Sequence, residues 1–316
     1  MENQNILVEN LTKKYASQKT GFAIQDINLD IGRGKLFGLI GPDGAGKSTT
    51  LRILATILPQ TSGNVHIFGY DISTQPEEVR KLIGYMPQNF SLYLDLSVIE
   101  NLDFFASIQR VPAAERQERI EKMLSFTHLE RFKQRRARDL SGGMKKKLAL
   151  ACALVHNPKL LILDEPSTGV DPVSRRELWS ILAEVVQNDV TVIASTPYMD
   201  EAERCHSVAI MYQGTIIASG SPAALRTSLP YDIIEVKAKP RKATRILISQ
   251  ITGIHDWRPV GDRFRLSVEK NANEPILENL KSALEAEKLD VRILRKASSS
   301  MEDVFIYQAQ NSRGKA

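Results

Sequence analysis

The sequence predicts an α/β domain followed by a smaller α+β domain of ferredoxin type. Three observations carry that expectation. The apolar stretch Leu36-Phe37-Gly38-Leu39-Ile40 runs into the glycine-rich segment GPDGAGKST at 41–49, then into helical spacing with Leu51, Leu54, Ala55 and Leu58 on one face. A second apolar run, Leu160 to Leu163, leads through an amphipathic helix to a third, Val190 to Ala194, which is the order of a βαβ crossover. Beyond Pro230 the pattern becomes strand, helix, strand, helix, strand, as in a split βαβ unit.

Taken in order, residues 1–40 are expected to be β-rich. Ile6-Leu7-Val8, Phe22-Ala23-Ile24 and Ile27 to Ile31 are the apolar segments, and Gly32 to Gly34 turns the chain toward Leu36. A helix follows from Thr49 to Leu58, then short strands at 65–68 and 83–86. Residues 92–137 read as mostly helical, with Val98, Leu102, Phe105 and then Ile120, Met123, Leu124 as apolar faces. A helix from Lys145 to about Val155 precedes the strand at Leu160. Glu177 to Asn188 is amphipathic, with Leu178, Ile181, Leu182, Val185 and Val186 in register. Val208 to Tyr212 and Thr215 to Ala218, split by Gly214, predict a hairpin. A boundary is expected near Ser219 to Pro230. The second domain then reads as strand 231–237, helix 241–251, strand 263–268, helix 274–287 and strand 290–295. A last helix, 300–308, opens on Ser299 with Glu302 as a capping box.

Residues 41–48 fit the pattern G-x-x-x-x-G-K-[ST], the phosphate-cradling loop of nucleotide triphosphatases. Its glycines let backbone N–H groups turn inward around phosphate oxygens, and the following helix points its N-terminus at them. Lys47 would reach the β- and γ-phosphates, and Ser48 would offer its hydroxyl to Mg²⁺. Gly41, Pro42, Asp43, Gly44, Ala45, Gly46, Lys47, Ser48 and Thr49 together form the expected nucleotide-binding segment. The strand Leu160 to Leu163 ends in Asp164-Glu165, at the carboxyl edge where ligands sit in parallel sheets. Asp164 is placed to hold Mg²⁺, directly or through water, and Glu165 to act as general base toward an attacking water. Ser141 precedes Gly142-Gly143 and a helix. It reads as an N-cap, with exposed first-turn N–H groups that suit an anion.

Composition bounds the rest. The chain has 316 residues, enough for about two domains, at 42% hydrophobic and 25% charged content. Cys152 and Cys205 give neither a metal pattern nor a disulfide framework, which suits a reducing cytosol. The opening MENQNILVEN lacks a signal pattern, and no apolar run approaches the ~20 residues of a membrane span. Net charge is +5, of which +4 lies from Tyr231 onward. A solvated surface is the favoured reading of that surplus. No aromatic-interleaved basic motif is present, so nucleic acid is not expected as a partner. The run from Arg131 to Lys147 carries eight cations against Asp139 and reads as a solvated helical face.

With these motifs assembled, the chain strongly resembles the ATP-binding cassette (ABC) transporter ATPases. The phosphate loop matches, as do Leu140-Ser141-Gly142-Gly143-Met144 as the family signature, LLILDEP at 160–166, Ser167 to Asp171 as the D-loop, and Gln88 as the Q-loop. Ser-Ser-Met-Glu-Asp-Val-Phe at 299–305 is similar to the tail of the drug-exporter branch, whose ATPases pair with ABC-2 type permeases. The resemblance implies a P-loop NTPase core at 1–228 with a helical subdomain at about 89–158, and an accessory domain at 229–316. It implies adenine stacking on Tyr15, and nucleotide contacts from Ser141, Gly142, Gly143 and Asp171. Gln88 would serve both Mg²⁺ and the permease interface. It further implies ATP and Mg²⁺ as cofactors, and a head-to-tail homodimer or heterodimer of cassettes. The site would be cytoplasmic, on the inner face of the cell membrane beside the permease. ATP hydrolysis would then power export of a drug-like, small-molecule or lipid-like cargo.

Two departures from the family stand out. Met144 replaces the usual Gln of the signature. Pro197 stands where the family has its switch histidine, before Asp200-Glu201-Ala202. Proline offers neither a side-chain donor nor a backbone N–H, so slow hydrolysis is expected.

Overall fold

The computed structural model describes residues 5–15, 21–89, 92–270 and 273–313. The chain divides into two compact units, Met1–Pro222 and Ala223–Ala316.

The first unit is built on a six-stranded sheet. Its order is Thr215–Gly220, Ser207–Tyr212, Leu36–Ile40, Thr191–Thr196, Leu160–Leu163, Ile83–Met86. Neighbours run parallel except at the Thr215–Gly220 edge, which closes the hairpin foreseen from Gly214. Leu36–Ile40, Leu160–Leu163 and Thr191–Thr196 are buried along their whole length, as strands covered on both faces must be. Register pairs Ile40 with Thr196 and Leu163 with Ala194, so three carboxyl ends finish side by side. A second, antiparallel sheet has the order Ile24–Ile31, Ile6–Lys13, Ser62–Ile67, Tyr70–Asp71. One core unites the two sheets: Ile6, Leu11 and Ile31 pack with Phe37, Leu39 and Ile193 around the helix residues Leu51, Ile53 and Leu54. Each such side chain, fully buried, contributes roughly 1.5–3 kcal/mol.

The helical stretch resolves into Val98–Ile108 and Ala113–Phe126, followed by two short 3₁₀ turns. Ser97 caps the first helix: its Oγ accepts from Glu100 N–H at 3.3 Å, and Glu100 Oε2 accepts from Ser97 N–H at 2.7 Å. The lobe closes at a narrow neck, where Ser97 pairs with Arg136. Val98 N–H donates to Arg135 O at 3.0 Å, and Ala137 N–H to Leu96 O at 2.8 Å.

The second unit is a four-stranded antiparallel sheet in the order Ile254–Val260, Arg263–Glu269, Tyr231–Lys239, Asp290–Ala297. Helices Arg241–Ile248 and Asn273–Ala286 cover one face, packing Leu247, Ile248, Ile276, Leu280 and Leu284 on Ile234, Val236, Phe264 and Leu266. This is the ferredoxin-like βαββαβ arrangement.

Several boundaries differ from expectation. The helix after the phosphate loop spans Lys47–Leu54, because the loop itself supplies the first turn. The helix expected from Glu177 begins at Pro172, where Asp171 caps it and proline occupies the first helical position. Strand Ile254–Val260 was not foreseen. The last helix spans Met301–Arg313 and is capped by Ser300 with Asp303, not by Ser299 with Glu302: Asp303 Oδ2 accepts from Ser300 N–H at 2.8 Å.

Candidate active site

The aligned strand ends deliver the candidate residues to one edge of the parallel sheet. Gly46 sits at the N-cap of Lys47–Leu54 with φ +103°. A Cβ there would lie 2.5 Å from Ile24 Cγ2 and 2.9 Å from Ala23 O, so only glycine fits this packed, left-handed position. Lys47 is buried, with its Nζ donating to Gly41 O at 2.9 Å and Pro42 O at 3.1 Å. The loop thus folds back on its own lysine, whose Nζ also stands 3.4 Å from Glu165 Oε1.

Asp164 and Glu165 leave the strand in different directions. Asp164 Oδ1 accepts from Ser48 Oγ at 3.0 Å and from Ser195 Oγ at 2.8 Å. Its Oδ2 is buried without a hydrogen-bond partner. A buried carboxylate oxygen left open next to the Ser48 hydroxyl fits a Mg²⁺ ion, which takes few protein oxygens and keeps several waters. Ser48 and Asp164 would hold that ion, with Gln88 nearby through Glu165. Glu165 Oε2 accepts from Gln88 Nε2 at 2.9 Å and from Thr168 Oγ1 at 3.2 Å.

A cavity of about 490 Å³ opens over these groups. Its walls include Tyr15, Asp43, Gly44, Gly46 and Thr49, together with Lys47, Ser48, Gln88 and Glu165. Tyr15 is half-buried, and its hydroxyl lies 3.3 Å from Thr49 Oγ1. Its ring is therefore fixed at the rim, where a flat base could stack.

Ser141, Gly142, Gly143 and Asp171 do not line this cavity. Ser141 Oγ accepts from Met144 N–H at 3.3 Å, and Ser141 and Gly142 are exposed. That leaves the start of helix Gly142–Leu154 open to solvent. Asp171 Oδ1 accepts from Ser174 and Val173 N–H at 3.0 Å each. The bonds from Ser174 hold its carboxyl below the usual range. The signature and D-loop are neighbours here, with a Cβ on Gly142 falling 3.6 Å from Gly169 O.

At the switch position, Thr196 O accepts from Gly41 N–H at 3.3 Å, which sets Pro197 beside the phosphate loop. Thr196 Oγ1 donates to Glu201 Oε2. Glu201 is fully buried, and its Oε1 accepts from Ser167 Oγ at 2.6 Å, Arg175 Nε at 2.6 Å and Trp179 Nε1 at 2.8 Å.

Sequence reasoning gave no role to Ser195, Thr168, Lys146 or Glu201. Ser195 carried a readable signal, a hydroxyl near the end of an otherwise apolar strand. Thr168 lay inside the D-loop, and Lys146 in the basic run expected to be a solvated face; the structure instead buries Lys146 and Lys147, which turn inward to backbone carbonyls and Glu177. Nothing in the local pattern marks Glu201 as buried.

A nucleotide-binding class of protein is thus defined by the fold and the loop, and comparison with known proteins names the family. The ABC transporter family model matches residues 24–168. The chain is 34% identical over 301 residues to the Nod factor export ATP-binding protein I of Cupriavidus metallidurans, covering 95% of each. It is 32% identical to the daunorubicin/doxorubicin resistance ATP-binding protein DrrA of Streptomyces peucetius, covering 90% of this chain and 87% of that one. The probable multidrug ABC transporter ATP-binding protein YbhF of Escherichia coli is 38% identical over 86% of this chain, which spans about half (47%) of that relative's length. A solved ATP-binding subunit of an ABC transporter superposes with TM-score 0.63 at 31% identity, over 71% of this chain and 92% of that one. A dimeric ATP-binding cassette in a post-hydrolysis state bound to ADP and Pi does so with TM-score 0.63 at 26% identity, over 68% and 98%. The chain belongs to the ABC transporter ATPase family. Among the described residues no helix is long and apolar enough to cross a membrane.

Proposed function

We propose that this chain is the ATP-binding and hydrolysing subunit of a membrane exporter of the ABC-2 type. The observation that carries the reading is the convergence of Lys47, Ser48, Gln88 and Glu165 on one cavity, with buried Asp164 bonded to Ser48. Lys47 would exchange its loop carbonyls and Glu165 for the β- and γ-phosphates. Ser48 and Asp164 would hold Mg²⁺, which neutralises charge on the phosphates. Glu165, released from Lys47, would accept a proton from water directed at the γ-phosphate.

The exposed helix start at Ser141 and Gly142 supports a dimer in which each nucleotide is clamped by a second copy or a related cassette. A helix N-terminus opposite the phosphate loop would add favourable electrostatics on the far side of the triphosphate. Closing and reopening that clamp would drive the permease at the inner membrane face. Exposed Tyr93 and Leu94, which follow Gln88 closely in the sequence, with the Tyr93 ring against Phe104, support the permease contact. The names of the relatives, multidrug and daunorubicin/doxorubicin resistance among them, support a drug-like cargo.

The test is MgATP binding and turnover by the full chain, with Lys47→Ala as control. Loss of nucleotide affinity in the variant is expected; affinity that survives it would end this reading.

Pro197 favours a second reading, a nucleotide-driven switch with negligible turnover. Equal phosphate release by wild type and Glu165→Gln would select it.

A further inference from the structure

The buried ammonium of Lys146 lies between the backbones of the two segments that carry Gln88 and Glu165. Its Nζ donates to Gln88 O at 3.2 Å and to Glu165 O at 3.3 Å. Burial pulls the Lys146 pKa down, while the carboxylates of Glu165 and Asp164 act to raise it. Glu165 itself has φ +50°, the left-handed region that residues with a Cβ seldom enter. Such a conformation persists where the surroundings hold it. Here the holding atoms are identifiable. The Glu165 N–H donates to Ser195 Oγ at 3.0 Å, and its carbonyl accepts from Lys146. Ser195 in turn donates to Asp164. With its backbone fixed on both sides, the Glu165 carboxylate falls between Lys47 and Gln88. Gln88 is held by the same ammonium through its own carbonyl. Lys146 also lies in the second turn of helix Gly142–Leu154, whose exposed start carries Ser141.

We infer that Lys146 is a positioning residue for hydrolysis. It fixes the backbones of Glu165 and Gln88, and it ties the start of the signature helix to the carboxylate facing the attacking water. This rests on the proposed function above. Its neighbour Lys147 is also a lysine but bonds instead to Glu177 Oε2 at 2.5 Å, so it serves as a charge control.

The experiment compares the full chain carrying Lys146→Met, Lys146→Gln or Lys147→Met with wild type. It measures kcat, KM, MgATP affinity by calorimetry and the melting midpoint. Lys146→Met is expected to lower kcat by about tenfold or more, the scale of a misplaced catalytic group, with affinity held within about twofold. Lys147→Met is expected to keep kcat within about twofold of wild type, since it touches neither carbonyl. Should Lys146→Met melt early, Lys146→Gln, polar but uncharged and one atom shorter than the lysine, replaces it, and the same separation of kcat from affinity is expected. Wild-type kcat in both Lys146 variants would overturn the inference, as would a loss of affinity matching the loss of kcat. Wild-type chain without nucleotide binding would instead overturn the proposed function.

Discussion

Lys47 Nζ stands 3.4 Å from Glu165 Oε1, with both side chains buried. The ammonium proposed to reach phosphate is therefore already paired with the group proposed as general base. Nucleotide must break this pair before it can gain Lys47. Glu165→Gln removes the competing charge and also its repulsion of the triphosphate. The variant should bind MgATP about tenfold tighter, or ~1.4 kcal/mol, by calorimetry with a non-hydrolysable analogue. Weaker binding by the variant would contradict the pairing argument.

Pro197 lies beside the phosphate loop and donates no hydrogen bond. Pro197→His restores a donor toward charge developing on the γ-phosphate. Turnover should rise by about 10²–10³, the scale of one preorganised donor. Single-turnover phosphate release would show it, and an unchanged rate would mean another group already fills that role.

Gly46→Ala should cripple the phosphate loop. Its Cβ would press into Ala23 O and Ile24 Cγ2 at a left-handed φ. Overpacking of this kind costs about 1–3 kcal/mol, with backbone strain in addition. A urea titration should show a lower midpoint together with lost nucleotide affinity. Gly44, at φ +77° with open space around it, offers the contrast: its alanine variant carries strain without a clash.

Acid should loosen the second unit through Asp303. Burial pushes its carboxyl upward, but bonds from Arg258 and Ser300 and the charge of Arg265 hold it below the usual range. Its folded pKa is thus depressed. Its stabilising share is present above the unfolded value of about 3.9 and is lost as pH falls through the lower folded value. Asp303→Asn should lose ~3 kcal/mol at neutral pH, the scale of breaking a buried pair, and flatten this acid limb. Denaturation curves at stepped pH would reveal both effects, and an unchanged acid limb would contradict the assignment.

What could be read in advance follows a physical line. Leu160–Leu163 and Leu36–Ile40 declared themselves because strands buried on both faces are unbroken apolar runs. The phosphate loop was legible because positions such as Gly46, left-handed and packed against Ala23 and Ile24, admit glycine alone. Ile254–Val260 was hidden for the opposite reason: it is an edge strand, mostly half-exposed, with His255, Asp256 and Pro259 interrupting any alternation. The first turn of Pro172–Gln187 was hidden too, since Val173 and Arg176 are exposed, Ser174 and Arg175 are polar, and the apolar spacing starts only at Leu178. Adjacent Ser299 and Ser300 offered two caps, and the choice went to the one whose third-following residue is Asp303, which also binds Arg258 and Arg265. Glu201 and Lys146 stayed invisible because their partners are brought together only by the tertiary fold.

The neck at Ser97 and Arg136 brings the two ends of the helical lobe together. Backbone bonds from Val98 to Arg135, Ile99 to Lys133, Ala137 to Leu96 and Arg138 to Leu94 join the two ends of this lobe, while the sheet edge that arranges Lys47, Asp164 and Glu165 is built elsewhere. Chain length can change in the turns of that lobe without disturbing the register of the strands. Diversification can therefore proceed on the outboard helices while the engine beneath them stays the same.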